Sequence, residues 1–209
     1  MMRYDSFTYL WPPRPESAVL PTLTPIYENK GFVAQVKREG TCSVIAVSPT
    51  GVLTAMNRHN EPHRAWSSTP ASSAAFQGLP GDGWYVFVAE LLHSKVAGGP
   101  RDTNYIFDIL VADGEYLVGH TFEERQAILA EIFPTTLEDA PYHRVITPNT
   151  WVAKNFTTGF MALFNGLSSA LDEGIVMKNP KAKLQMCSRQ SANNDWQVKS
   201  RRRKKNSSA

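Results

Sequence analysis

A lysine followed three positions later by glycine, Lys37-Arg38-Glu39-Gly40, closes the apolar run Gly31-Phe32-Val33-Ala34-Gln35-Val36. A lysine held beside apolar neighbours loses its proton more easily than one in water, and the free amine can attack phosphorus. Gly40 supplies a turn that lets the backbone come close to a ligand. Alone, the pattern describes a surface lysine before a hairpin turn equally well, and Lys95-Val96-Ala97-Gly98 repeats it. The residues downstream of each lysine separate the two.

Two carboxylates fall in apolar company. Glu90 shares a strand face with Val86, Val88 and Leu92, and Asp108 shares one with Ile106 and Leu110. An unpaired buried carboxylate costs on the order of several kcal/mol, so each needs an internal Arg or Lys, a metal ion or a ribose hydroxyl. In Glu173-Gly174-Ile175-Val176-Met177-Lys178 an acid and a lysine bracket an apolar strand. Alternation on a flat strand sends Glu173 and Lys178 to opposite faces, to serve different parts of a ligand. Together Lys37, Glu90, Glu173, Lys178 and Lys199 supply what nucleotidyl transfer requires. One lysine is the nucleophile, the carboxylates hold Mg²⁺ or Mn²⁺, and the other lysines cradle phosphates. Phe107 offers a flat surface on which a purine can stack. His59 and His63, four apart as in zinc sites, are loop histidines, because Pro62 forbids the helix that would align them.

The elements that position these residues follow from pattern. Phe32 to Lys37 reads as a strand, and Ser43 to Val47 with Val52 to Met56 as a hairpin through Pro49-Thr50-Gly51. Residues 65–83 form a loop with a short helix at Ala71 to Gln77. Trp84 to Leu92 and Tyr105 to Val111 are strong strands, and Asp113-Gly114 turns the second into Glu115 to Val118. Thr121-Phe122-Glu123-Glu124 is a capping box opening a helix to about Phe133, followed by a loop over 134–141. From Thr150 to Leu171 the residues Phe156, Phe160, Leu163, Phe164, Leu167 and Leu171 recur at helical spacing and predict one amphipathic, core-packed helix. Ile175 to Met177 and Trp196 to Lys199 are short strands flanking an irregular stretch. Hairpin-linked strands with a few helices indicate an α+β fold built on antiparallel sheets.

The 209 residues suit one globular domain with a proper core. Prolines at 12, 13, 15, 21 and 25 predict that residues 1–30 run extended over its surface. No stretch approaches the ~20 apolar residues of a membrane span, and the start lacks a signal peptide's apolar core. Two cysteines, Cys42 and Cys187, make no disulfide framework, so a reducing cytoplasm is expected, the host's if the source is viral. The net charge of +3 is uneven: residues 199–209 hold six of the 22 basic residues, leaving 16 against 19 acidic ones elsewhere. Such a basic end suits nucleotide or nucleic-acid phosphate, and residues 202–209 are expected to be a disordered tail.

In order along the chain these residues resemble the motifs of the covalent nucleotidyltransferases: ATP-dependent DNA ligases, RNA ligases and mRNA capping enzymes. Lys37-x-x-Gly40 resembles the motif whose lysine becomes lysyl-AMP, with Gln35 and Val36 beside the nucleotide. Arg58 resembles the arginine that follows on a nearby strand, and Glu90 in Val88-Ala89-Glu90-Leu91-Leu92 the third motif. Tyr105 to Leu110 with Phe122-Glu123-Glu124-Arg125 is similar to the segment whose aromatic stacks on adenine. Glu173-Gly174-x-Val176-x-Lys178 is similar to the fourth motif, and Lys199-x-Arg201 to the fifth. Lys95 is out of order and is set aside. The resemblance covers residues 31–201 and implies two packed, mainly antiparallel sheets flanked by helices, with no OB-fold domain. It implies ATP as the nucleotide, a metal on Glu173 and Glu90, nucleotide contacts from Gly40, Arg58, Phe107, Lys178, Lys199 and Arg201, and a nicked or broken polynucleotide as partner. Thr41 after the glycine, with Cys42 where DNA ligases carry arginine, inclines the substrate to RNA-containing duplexes. Glu39 and Arg201 replace the family's usual aspartate and lysine. Because the chain stops at the fifth motif, a separate protein is expected to supply any second domain. A weakened ligase-like nucleic-acid-binding protein and a capping-type guanylyltransferase remain the other readings. The small size is reminiscent of ligase-like proteins of bacterial viruses.

Overall fold

The computed structural model describes residues 3–64, 66–93, 96–186 and 196–202. The strands are β1 (Ser17–Ala18), β2 (Val33–Arg38), β3 (Thr41–Val47), β4 (Leu53–Asn57), β5 (Tyr85–Leu92), β6 (Thr103–Ala112), β7 (Glu115–Tyr116), β8 (Glu138–Asp139), β9 (His143–Thr147), β10 (Thr150–Ala153), β11 (Asp172–Lys178) and β12 (Gln197–Arg201). The helices are α1 (Thr24–Asn29), α2 (Pro70–Ser73), α3 (Phe122–Ile132) and α4 (Phe160–Gly166). The strands make two sheets. The larger runs β4-β3-β5-β6-β10-β9-β8 with β7 on β6, and the smaller runs β1-β12-β11-β2. Pairing is antiparallel except for β6 with β10 and β1 with β12. This is the expected α+β arrangement of two mainly antiparallel sheets.

Each sheet has its own core. Ile45, Phe87, Ile106 and Ile109 of the larger sheet pack with Phe76, Leu129 and Phe133. Ala34, Val36, Ile175 and Met177 of the smaller sheet pack with Phe160 and Leu167. The capping box fixes the start of α3: Glu124 N donates to Thr121 Oγ1 at 3.3 Å, and Thr121 N donates to Glu124 Oε2 at 2.7 Å. Phe122, Arg125 and Leu129, three and four apart, then face inward.

Three local expectations are corrected. The continuous helix over Thr150 to Leu171 is instead a strand, a bridge and a two-turn helix. Thr150, Trp151 and Val152 favour extended backbone and pair with Asn104, Tyr105 and Ile106 of β6. Phe156 bridges Ala34, and Gly159 at φ 74° then opens α4. Within residues 1–30 the chain does not stay extended: Pro21–Leu23 is a turn of 3₁₀ helix and α1 follows it, with Pro25 tolerated in the first turn. Glu28 of α1 accepts from Gly159 N and Phe160 N at 2.8 and 2.9 Å, capping α4. Finally, Arg202 is tied to the body, with Nη1 donating to Ser169 O at 3.0 Å. The rest of the expected tail, Lys95 and Cys187 lie outside the described residues.

Candidate active site

The inner faces of the two sheets enclose a cleft of about 850 Å³. Lys37, on β2, is only 20% exposed there, and its Nζ donates to the carboxylate of Glu173 on β11. Arg201 Nε lies 2.8 Å from the other oxygen of Glu173. The register explains the cluster, since Gly174 pairs with Lys37 on one side and Arg201 on the other. Glu173 and Lys178 both line this cleft, against the opposite-face expectation. A bulge between Asp172 and Gly174 inserts a residue into β11 and resets its alternation. Only glycine fits at the bulge, because φ is 148° and a Cβ there would come 2.0 Å from Ser200 O. Behind the site Arg38 is ion-paired to Asp172, and both are nearly fully buried. Arg38 Nη2 also lies 3.2 Å from His143 Nδ1, whose ring stacks on Trp151 at 4.2 Å. Burial, with the Arg38 charge second, pushes the His143 imidazole down to about 4.

The opposite end of the cleft is built round Lys178. Its Nζ donates to Gln35 Oε1 at 2.6 Å and lies 4.9 Å from the Phe107 ring and 4.6 Å from that of Phe122. Burial pushes this ammonium down to about 7, against the opposing pull of Asp108. Gln35 Nε2 in turn donates to Asn155 Oδ1 at 2.8 Å and to Gln126 Oε1 at 3.2 Å. Asp108 itself does not enter the cleft chemistry. Arg125, 0% exposed, takes both its oxygens at 2.9 Å, so this carboxylate is satisfied internally. Glu90 does line the cleft, beside Cys42 on β3 and Tyr105 on β6. Burial, then the Glu90 charge, pushes the Cys42 thiol up to about 12. Tyr105 Oη donates to Val36 O at 2.9 Å and so holds β2 against β6.

The remaining expected residues also reach the cleft. Arg58, just past β4, donates from Nε to His59 Nε2 at 3.0 Å. Lys199 Nζ donates to Pro15 O at 2.8 Å, and burial, then the Arg201 and Lys37 charges, holds it below the usual lysine range. Gly40 lines the cleft too, but its lack of a side chain is demanded by the fold: a Cβ would meet Leu91 O at 2.6 Å and Glu90 Cγ at 2.7 Å. His63 instead contacts Ser43 Oγ at 3.1 Å. Sequence reasoning missed Asn155, which reaches the site through Gln35, Gln126, which reaches it through Gln35 and the Phe107 carbonyl, and the wall formed by Pro12 to Glu16. No motif marks either. Among the described residues no three His, Cys, Asp or Glu side chains gather to hold a metal. Glu90 and Glu173 are the two carboxylates of the expected metal site that line the cleft, and the oxygens of Glu173 are held by Lys37 and Arg201.

Two sheets enclosing such a cleft are the fold of ligase nucleotidyltransferase domains. The fold is similar to the ligase domain of LigD from M. tuberculosis, with a TM-score of 0.64 and 19% identity, over 93% of this chain and 61% of that one. It is similar to a mycobacterial DNA ligase D complexed with ATP and MES (TM-score 0.56, 16% identity, 93% and 62% covered). A Lig E DNA ligase is similar at 0.53 and 13%, with 94% and 70% covered. The chain thus spans about three fifths of the length of the two ligase D structures. No curated protein matches it by sequence. Residues 101–199 match the family described as ATP dependent DNA ligase domain. That match covers just under half of the chain and agrees with the likeness of fold.

Proposed function

We propose that this protein is an ATP-dependent polynucleotide ligase that works through a lysyl-AMP at Lys37. The observation that carries the reading is the half-buried Lys37–Glu173 pair, set between a cationic end with Lys199 and Arg201 and an aromatic end with Phe107. A nucleotide entering the cleft stacks its base on Phe107, over the Lys178 ammonium, and turns its phosphates towards Lys37. Lys37 Nζ, having released its ammonium proton to solvent, bonds to the α-phosphorus while the bond to the bridging oxygen breaks, and its second proton passes to water as the phosphoramidate forms. Pyrophosphate leaves with that electron pair, its charge met by Lys199 and Arg201. Glu90 and Glu173 would hold a Mg²⁺, which would supply further charge neutralisation at the phosphates. Releasing Lys37 from Glu173 is part of the same rearrangement. The AMP then passes to a 5′-phosphate, and a 3′-hydroxyl displaces it to seal the strand. Arg58 is placed for the ribose or a phosphate.

DNA is the first substrate to try, because the matched family is that of DNA ligases. Thr41 and Cys42 beside the nucleophile support RNA-containing duplexes as the second. Incubation with α-labelled ATP and Mg²⁺ should leave an acid-labile, alkali-stable label on the protein, and Lys37→Ala should abolish it. No label, or equal labelling of the two proteins, refutes the covalent step.

A further inference from the structure

The N-terminal segment straps the two sheets together across the cleft. Tyr4 N donates to Gly114 O at 2.8 Å at one end of the larger sheet. Tyr9 Oη donates to Asn57 O at 2.9 Å beside β4, and β1 then pairs with β12 at the edge of the smaller sheet. Between these anchors Pro12-Pro13-Arg14-Pro15 forms a wall of the cleft, with Pro12 and Pro13 buried. Each proline fixes its own φ and keeps the preceding residue extended, so Arg14 is held at the cleft by a stiff backbone. The Lys199–Pro15 bond fastens the strap to the cationic end. Arg14 lines the cleft next to Pro15, within electrostatic reach of Lys199 and of Cys42. The strap therefore adds its guanidinium to the end of the cleft opposite the Phe107 and Lys178 wall.

Attack by Lys37 on the α-phosphorus drives two further phosphates away from the base, and their charge grows as the bridging bond breaks. A guanidinium reads two phosphate oxygens at once, which an ammonium does not. We propose that Arg14 is a triphosphate-reading residue, gripping the terminal phosphates of the bound nucleotide and then the departing pyrophosphate. This rests on the adenylyl-transfer reading above and deepens it: the strap, outside every motif of the sequence, selects triphosphate over monophosphate.

The test uses the full chain with Arg14→Gln and Arg14→Lys. Loss of a charged hydrogen bond should raise the half-saturating ATP for labelling roughly tenfold to a hundredfold in Arg14→Gln. The pyrophosphate needed to strip the label should rise by a similar factor, and Arg14→Lys should recover part of both. Transfer of AMP from preloaded protein to a nicked duplex, which involves no pyrophosphate, should keep the wild-type rate. Unchanged ATP saturation and pyrophosphate sensitivity would overturn the proposal, as would an equal loss in the transfer step, which marks a merely structural wall. If the wild type takes no label, the ligase reading has failed separately. Calorimetric binding of inorganic pyrophosphate then decides, with weaker binding by Arg14→Gln expected and equal binding refuting.

Discussion

Replacing Gly174 with alanine should damage fold and site together. The new Cβ would sit 2.0 Å from Ser200 O, 2.9 Å from Arg201 Cα and 3.0 Å from Ser200 C, all backbone atoms. Ordinary contact begins at 3.4 Å, so the two strands must part by more than an ångström or the bulge must flatten. Parting them weakens the Gly174–Arg201 and Ile175–Ser200 pairings. Two backbone hydrogen bonds are worth about 1–3 kcal/mol net. Forcing alanine to φ 148° adds on the order of 1–3 kcal/mol. The sum, roughly 2–6 kcal/mol, is a large share of the ~5–15 kcal/mol that holds a domain together. Urea unfolding of Gly174→Ala against wild type measures it, and α-labelled ATP reports whether Glu173 still faces Lys37. An unchanged midpoint with unchanged labelling would refute the claim that the bulge sets this register.

Lys178 makes stability depend on pH. Its folded value of about 7 lies below lysine's ordinary 10.5, so between them the unfolded chain holds a proton that the folded one lacks. The cost of burying the charge is fully present below pH 7 and is relieved as pH rises through this window, by up to about 1.4 kcal/mol per pH unit. Urea unfolding at pH 7.5 and 9 should show wild type gaining on Lys178→Met, and parallel behaviour of the two would show that the buried amine keeps its proton. Asp108→Asn should cost about 3–5 kcal/mol, because it leaves the guanidinium of Arg125 buried without its counter-charge. A midpoint shift too small for 1 kcal/mol would show that water or relaxation compensates Arg125.

The residues of the cleft were legible because each reactive type stands next to its own strand signal. Lys37 ends an apolar run, Glu90 interrupts one, and Glu173 and Lys178 bracket another. The Asp113-Gly114 turn and the Thr121 capping box were legible because their chemistry is local. What failed was non-local. Phe156, Phe160 and Leu167 imitate helical spacing because a chain wrapping the smaller sheet also returns to its core every few residues. That Thr150–Ala153 is a strand depends on its distant partner β6. A bulge shifts side chains without changing composition, so the shared face of Glu173 and Lys178 could not be read from alternation. Asp108 and Glu90 looked alike in sequence, and only the arrival of Arg125 from α3 tells them apart.

The pairing of β1 with β12 has a consequence for how the protein is made. Ser17 lies against Val198, so the smaller sheet has no complete form until β12 has left the ribosome. Strands β3 to β10 are all synthesised earlier and can collapse while translation continues. Strand β2, which carries Lys37, must meanwhile wait for β11, its ladder partner, translated more than a hundred residues later. The cleft is therefore complete only once β12 has emerged, and a nascent chain arrested before it would have a folded larger sheet beside an unfinished cleft.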